Sequence, residues 1–503
     1  MKKVILLSLL LIGLAQVSFS QEKRVLTLEE VIQLAKQNSR SAKTAETRRT
    51  LGYWSYDVYK SQLKPQLRLQ GTLPNYTNRS TPVTQNDGSV AFRTVNQNNS
   101  NLSLGLEQVL PWTNTTVSFN TNLARFDDYD GDRRYYQGDP FGVSISQPLF
   151  AVNPFKWDKK TEPLAYEQSK RSYVQSMEQT SKTAANLFFR LLVQQKNLQI
   201  AEQNAQANDT VFKVEQGRYN IGTSTEDQLL QTELELLTSQ SDAQQAQLDV
   251  QSLSLELRNY IGLTENVDLE LIAPMDVAVF DIDYETALQY AKDNRAEYLD
   301  FQLQRLNAER TVADARARRF NVSVSASYGF NSAQTNDLSG VYESNNTAAG
   351  SQFRLNFNVP ILDGGRNKAR VNVAMEQQKL TEFTVDQSMI TFEQEISNAV
   401  RNFKQIIEQI TLAKKSEEIA LKRFEITNGR YLAGKVDILT LANARTSKDG
   451  AIRSYVLALQ QYWDAYYELR TLTLYDFKND VLLYNELLEY NPKTDSVIEK
   501  AKN

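Results

Sequence analysis

The sequence predicts a mixed fold in which long α-helical hairpins, packed as coiled coils, alternate with groups of β-strands, the whole unit being built twice in tandem. Three observations predict it. Residues 211–222 (VFKVEQGRYNIG) return 212 positions later as residues 423–434 (RFEITNGRYLAG). Each Arg-Tyr-x-x-Gly follows a long stretch, 164–216 or 366–428, that contains neither Gly nor Pro. Short segments of period-two alternation stand before each of those stretches. An internal repeat constrains architecture before any local reading does, because each copy must bury its apolar face against the other copy or a partner chain.

Along the chain, Lys2 and Lys3 precede an apolar run from Val4 to Val17, and Ser18-Phe19-Ser20 supplies small residues ahead of Gln21. That pattern is a secretory signal peptide over 1–20. The run is short for a bilayer span, which needs roughly 20 apolar residues. The first repeat then occupies 21–262. It opens on Leu28-Glu-Glu-Val-Ile-Gln-Leu-Ala35-Lys-Gln-Asn38, which reappears as Tyr284-Glu-Thr-Ala-Leu-Gln-Tyr-Ala291-Lys-Asp-Asn294, an offset of 256. Ser146-Gln-Pro148-Leu-Phe150 matches Asn358-Val-Pro360-Ile-Leu362 at an offset of 212. The two offsets differ by 44, so about 44 extra residues lie in the first repeat between Asn38 and Pro148. A linker over 263–282, a second repeat over 283–475 and a tail over 476–503 complete the chain.

The strand assignments rest on alternation. Leu67, Leu69, Gly71 and Leu73 alternate within 66–75, and Val324, Ala326 and Tyr328 within 322–330. Segments 141–146 and 353–360 behave likewise. Alternation over such lengths suits a half-buried strand or a membrane β-strand of about 9–11 residues. The insertion adds 102–109 and 115–123, joined at Pro111-Trp112-Thr113-Asn114, and so an extra β-hairpin over 101–124. Segments 76–98 and 126–140 are polar and are expected to be loops.

In the second copy Ala399, Phe403, Ile406, Ile410, Ala413, Ala420 and Phe424 follow four–three spacing, with Glu417 the one lapse. Leu187, Leu191, Gln194, Leu198, Ala201, Ala205, Asn208 and Phe212 hold the same places in the first copy. A sustained 3.5-residue period marks a coiled-coil seam. Further helices are expected over 223–261 and 435–475, the second interrupted by Gly450. Gly217 with Gly222, and Gly429 with Gly434, supply permissive backbone for a tight reversal between helices.

Composition excludes several functions. The 503 residues contain no His and no Cys, which removes the commonest general base, thiolate chemistry and most transition-metal sites. A net charge of −4 does not suit a nucleic-acid surface. Asp127-Asp128-Tyr129-Asp130-Gly131-Asp132 has the carboxylate spacing of half a calcium loop but lacks the bidentate Glu that should follow, and is expected to be a solvated loop. No catalytic residue, cofactor or metal is expected.

Together these parts resemble the TolC-like outer-membrane efflux proteins. The resemblance covers nearly the whole mature chain. It is carried by the Leu28…Ala35…Asn38 helix, by Leu63-Lys-Pro65-Gln-Leu67 leading into a strand and Leu362-Asp-Gly-Gly-Arg366 leaving one, and by the doubled Arg-Tyr-x-x-Gly. It implies a homotrimer in which the strands form one transmembrane β-barrel and the helices a periplasmic tunnel. Strand edges are not tolerated in lipid, so a chain with four to six strands needs partners to close a barrel. The trimer would count twelve strands, or eighteen if the extra hairpin joins them.

The resemblance also implies sites. Arg218, Tyr219, Gly222 and Thr223, with Arg430, Tyr431, Gly434 and Lys435, stand where helix tips would meet a periplasmic adaptor that links the duct to an inner-membrane pump. The same arginines and tyrosines could equally cap and pack the hairpins. Thr440 occupies the position of the family's pore-narrowing carboxylate, which leaves Asp437, Glu226 and Asp227 as the acids that could line a pore or gate. The expected function is a passive exit duct of a tripartite efflux or type I secretion system. The other reading is a soluble periplasmic coiled-coil adaptor or scaffold.

Overall fold

The computed structural model describes residues 23–499 except 266, 275, 276, 434, 437, 486, 487, 493 and 495. The expected signal peptide lies outside the described residues. The chain forms two compact units, one drawn from the chain up to Thr50, Lys170–Ala296 and Ile390 onward, the other from Leu51–Ser169 and Glu297–Met389.

The first unit is helical. Helix α1 (Leu28–Asn38) starts at a capping box, in which the Thr27 hydroxyl accepts from the Glu30 amide and the Glu30 carboxylate accepts from the Thr27 amide. It leads into α2 (Arg40–Gln62). Helices α3 (Pro154–Asn220) and α4 (Glu226–Ile261) form the first long hairpin. At 67 residues, α3 extends about 100 Å. Pro154 stands in its first turn, where the missing N–H is not needed. In the second copy come α5 (Tyr284–Asn294), α6 (Ala296–Ala317), α7 (Arg366–Leu432) and α8 (Ile438–Thr473); of all these helices α6 falls almost wholly in the second unit, and α2, α3 and α7 are divided between the two units. The limits of α3 and α4 shifted by 212 are those of α7 and α8, and those of α1 shifted by 256 are those of α5.

Side chains fix the order of the long helices within this unit as α4, α3, α8, α7. Between α3 and α4, Gln194 donates to Asp249 at 3.0 Å and Arg190 pairs with Glu256 at 2.9 Å. Between α3 and α8, Asn204 donates to Asp449 at 2.9 Å and Arg445 to Asn208 at 2.8 Å. Between α7 and α8, the rings of Phe403 and Tyr462 stand 5.7 Å apart and the Lys448 ammonium lies 4.5 Å from the Phe424 ring centre. The seam is dry where it is apolar, with Leu187, Leu191, Phe403, Ile406 and Ile410 buried. Its polar members Gln194 and Asn208 are satisfied by hydrogen bonds across helices. Toward Phe424 it is only half-buried, and Glu417 lies in that part.

Three sequence expectations are corrected. Gly450 does not interrupt α8, because a glycine inside a packed helix weakens it without breaking it. Gly217 and Gly429 lie inside helices, so Gly222, at φ +77°, alone takes the left-handed turn among the described tip glycines. The 76–98 and 126–140 segments are largely strand.

That strand content belongs to the second unit. Strand β1 (Lys23–Leu26) lies in the helical unit, where it pairs in parallel with β7 (Asp268–Leu271). The large sheet contains β2 (Gln66–Thr72), β3 (Tyr76–Thr84), β4 (Val90–Leu110), β5 (Thr115–Asp128), β6 (Arg133–Pro148), β8 (Asn321–Ser332) and β9 (Thr347–Asn358). Its order is β2–β4–β5–β6–β8–β9, all antiparallel, and β3 continues β2 along the same side of β4. The hairpin β4–β5 therefore sits inside the sheet, between β2 and β6. The polar ends of β3–β6 show no apolar alternation because they pair through backbone groups without covering a core. The period-two signal is absent there for that reason. In the helical unit, β10 (Tyr475–Asp476) and β11 (Val481–Leu482), then β12 (Leu488–Asn491) and β13 (Ser496–Glu499), form two short hairpins.

Candidate functional site

The register of the large sheet sorts its side chains onto two unlike faces, because successive residues of a strand point to opposite sides. Leu67, Leu106, Phe119, Val143 and Tyr328 form one cross-strand row, and Val117, Ile145, Ala326 and Phe353 the next. This face is uncovered: Leu67 is 66% exposed and Phe353 73%. On the reverse face run Gln66, Glu107, Ser118, Ser144, Ser327 and Gln352, then Arg68, Gly105, Asn120, Gly142, Gly329 and Gly350. The hydroxyls of Ser118 and Ser144 hydrogen-bond at 2.6 Å on that face. A soluble sheet hides its apolar face. Here the apolar face is bare, and the reverse face carries polar side chains interspersed with serines and glycines. That is the pattern of strands with lipid on one side and water on the other. Among the described residues no helix is long and apolar enough to cross a membrane.

Beyond the apolar rows, Asp127 is buried. It receives Arg125 at 2.9 Å, Arg134 at 2.6 Å and Asn98 at 3.0 Å. Asp128 pairs with Arg133 at 2.7 Å. Two carboxylates of the calcium-like segment, Asp127 and Asp128, are thus occupied by arginines, and no metal-holding cluster occurs among the described residues.

The two Arg-Tyr-x-x-Gly segments end their helices alike. The Thr223 amide donates to the Arg218 carbonyl at 2.9 Å, and the Lys435 amide donates to the Arg430 carbonyl at 2.9 Å. Such a contact closes the last helical turn and satisfies a carbonyl that would otherwise lack a partner. The Arg218 guanidinium reaches Glu215 at 3.4 Å, and Ser224 donates to the same Glu215. Tyr219 is exposed and Tyr431 half-buried. Glu226 and Asp227 are exposed in the first turn of α4, where free amides favour negative charge. Gly434 and Asp437 lie outside the described residues.

Two apolar stripes on the helical unit have no cover. On α4, Leu230, Leu234, Leu237, Leu248 and Leu255 stand exposed at heptad-compatible spacing. On α7, Leu412, Ile419 and Ile426 are exposed every seventh residue. These are the outer helices of the α4–α3–α8–α7 layer.

Sequence reasoning missed one buried polar cluster. Arg470 on α8 pairs with Glu178 on α3 and with Asp476, each at 2.8 Å, and Lys36 on α1 also reaches Glu178 at 2.8 Å. Burial alone would raise the Asp476 carboxyl, but hydrogen bonds from Tyr466 and Asn479 and the charge of Arg470 hold it below the usual range. Burial pushes the Tyr466 hydroxyl well above the usual phenol range. No local spacing signals this cluster, because its members are up to 440 positions apart.

Comparison with known proteins agrees with the geometry. The family model described as outer membrane efflux protein matches residues 31–263 and 287–473, one stretch in each repeat. Among solved structures, the Campylobacter jejuni CmeC outer membrane channel aligns over 89% of this chain and 85% of its own, at 16% identity and a TM-score of 0.64. The Vibrio cholerae outer membrane protein VceC aligns over 89% and 95%, at 15% identity and a TM-score of 0.57. The Neisseria gonorrhoeae MtrE outer membrane channel, in its open state, aligns over 89% and 88%, at 14% identity and a TM-score of 0.57. No curated protein sequence matches the chain. The match across both repeats, on a fold shared with these channels, makes the chain a member of the outer membrane efflux protein family, resident in the outer membrane.

Proposed function

We propose that three copies of this chain form a passive exit duct for a tripartite efflux or type I secretion system. The large sheets close together into one barrel in the outer membrane, and the helical units form the wall of a periplasmic tunnel. The observation that carries this reading is the two-faced sheet: an uncovered apolar face, a polar reverse face and the edge strands β2 and β9. The bare stripes on α4 and α7 support it further, since a neighbouring copy would bring one stripe against the other. A soluble adaptor or scaffold would have to leave the apolar face of the sheet in water. The duct performs no bond chemistry and needs no cofactor; an inner-membrane pump supplies the energy.

The helix tips are the proposed docking surface for a periplasmic adaptor: Arg218, Tyr219, Gly222 and Thr223 in one copy, Arg430, Tyr431, Gly434 and Lys435 in the other. Glu226, Asp227 and Asp437 are the proposed pore-facing acids, where three copies of each would form a charge ring. Proposed domain limits remain 21–262 and 283–475, joined by 263–282 and followed by a periplasmic tail over 476–503. Membrane fractionation tests the reading. A detergent-requiring outer-membrane trimer whose deletion lowers tolerance of toxic compounds or empties the secreted proteome supports it. Recovery as a soluble periplasmic species refutes it.

A further inference from the structure

We propose that each copy contributes six strand positions to the barrel, so that β9 of one copy pairs with β2 of the next and three copies close an eighteen-position barrel. This inference rests on the trimeric duct reading. The β4–β5 hairpin is inserted in the middle of the sheet: β4 pairs with β2 along 101–107, and β5 with β6 along both sides of a bulge at Asn120/Asn122. Removing the hairpin from the barrel would break both ladders and expose their backbone groups. Its side chains also continue both faces without a break. Leu106 and Phe119 fill the apolar row between Leu67 and Val143, and Gly105 and Asn120 fill the polar row between Arg68 and Gly142.

The edges suit closure by copies of the same chain. Strands alternate in direction from β2 to β9, and six is an even number, so β9 of one copy meets β2 of the next antiparallel and every junction is equivalent. Leu67 and Leu69 on one edge, and Phe353, Leu355 and Phe357 on the other, keep the apolar face continuous across the junction. Six strands are too few to close on themselves, since about eight already leave only a filled interior. Barrel diameter grows nearly in proportion to strand number, so eighteen positions give a lumen roughly half as wide again as twelve.

The absence of cysteine from the chain makes the test direct. Single variants Leu104→Cys, Phe119→Cys and Leu355→Cys on the apolar face, and Ser118→Cys and Ser327→Cys on the polar face, would be labelled with bimane in the full-length protein. They would then be reconstituted in vesicles with and without brominated phospholipid. If the hairpin is in the barrel, labels at 104 and 119 lose fluorescence in brominated lipid as fully as the label at 355, while those at 118 and 327 do not. A trimer in which 355 is quenched but 104 and 119 are not overturns the eighteen-position barrel and leaves the trimeric duct standing. Failure to form any membrane trimer overturns the duct reading itself. Oxidative cross-linking provides a second measurement: cysteine pairs placed at 68 or 70 and at 352 or 354 should yield covalent dimers and trimers. Their complete absence in an intact trimer overturns the β9–β2 junction.

Discussion

The guanidinium of Arg470 donates to the carboxylate of Glu178 at 2.8 Å, tying α8 to α3 where both side chains are largely withdrawn from solvent. The same guanidinium holds Asp476 just beyond the end of α8. Arg470 and Lys36 together therefore balance two buried carboxylates, with Arg470 the cation they share. Arg470→Met leaves Asp476 without its cation and Glu178 with Lys36 alone, and we expect a loss of about 3–5 kcal/mol in the stability of the helical unit. Denaturant unfolding of the detergent-solubilised protein, read by helical circular dichroism, checks this. A loss under 1 kcal/mol would count against it.

The pH dependence of this corner follows from Asp476. Its folded-state pKa is lowered, so its contribution is fully present above the unfolded value near pH ~3.9 and disappears as pH falls through the folded value. The packing of Phe477 and Lys478 after α8 should be insensitive to pH from about 5 to 8 and loosen below about pH 4. Emission from Trp463, whose ring lies 5.6 Å from the Lys478 ammonium, reports it. Asp476→Asn should be less stable at neutral pH and should remove the dependence contributed by this group.

Phe403 is fully buried against Tyr462 and Phe280, with ring centres 5.7 and 5.0 Å away. Phe403→Ala should cost about 3–5 kcal/mol through lost burial and an unfilled cavity. Phe403→Leu should recover most of that. Thermal unfolding of both variants separates packing from any change in assembly.

The two glycines of the first tip should respond in opposite directions. Gly222 sits at φ +77° with open space around its Cβ position, so Gly222→Ala costs about 1–2 kcal/mol through backbone conformation alone. Gly217 is helical and equally unobstructed, so Gly217→Ala should stabilise the hairpin by about 0.5–1 kcal/mol. Hydrogen exchange at the tip distinguishes the two.

The two faces of β9 should tolerate charge unequally. Leu355→Lys places an ammonium on the lipid side and should cost about 2–4 kcal/mol near the bilayer midplane. Asn356→Lys, one residue away on the polar face, should assemble normally. The yield of heat-resistant oligomer in membranes is the readout. Equal yields would refute the assignment of faces.

Much of the fold was legible because long helices and repeats leave signals in local spacing. Leu28–Asn38 and Tyr284–Asn294 have the limits their shared pattern suggests, and the structure adds Thr27 and Asp283 as their caps. The polar extensions of β3–β6 resemble loops in sequence because alternation reports a covered or lipid-facing side, and these segments lack that signal. Gly450 resembles a break in sequence because propensity is local, whereas α8 is held by its neighbours. The tip residues were visible as a motif, yet the motif alone could not separate docking from capping. The structure adds a capping role for the Arg218 and Arg430 carbonyls.

The sequence by itself determined the doubling, the 212 and 256 registers, the course of the long helices and the apolar side of the strands that alternate, because all of these are periodicities of a few residues or direct self-similarity. Only the tertiary structure decided that the inserted hairpin lies between β2 and β6, that α3 and α8 occupy the middle of the helical layer, and that Lys36, Glu178, Arg470 and Asp476 converge. Those outcomes depend on which distant segments pair. Strand pairing and helix docking are chosen by the total burial and hydrogen bonding of the folded chain, which no single window of sequence contains.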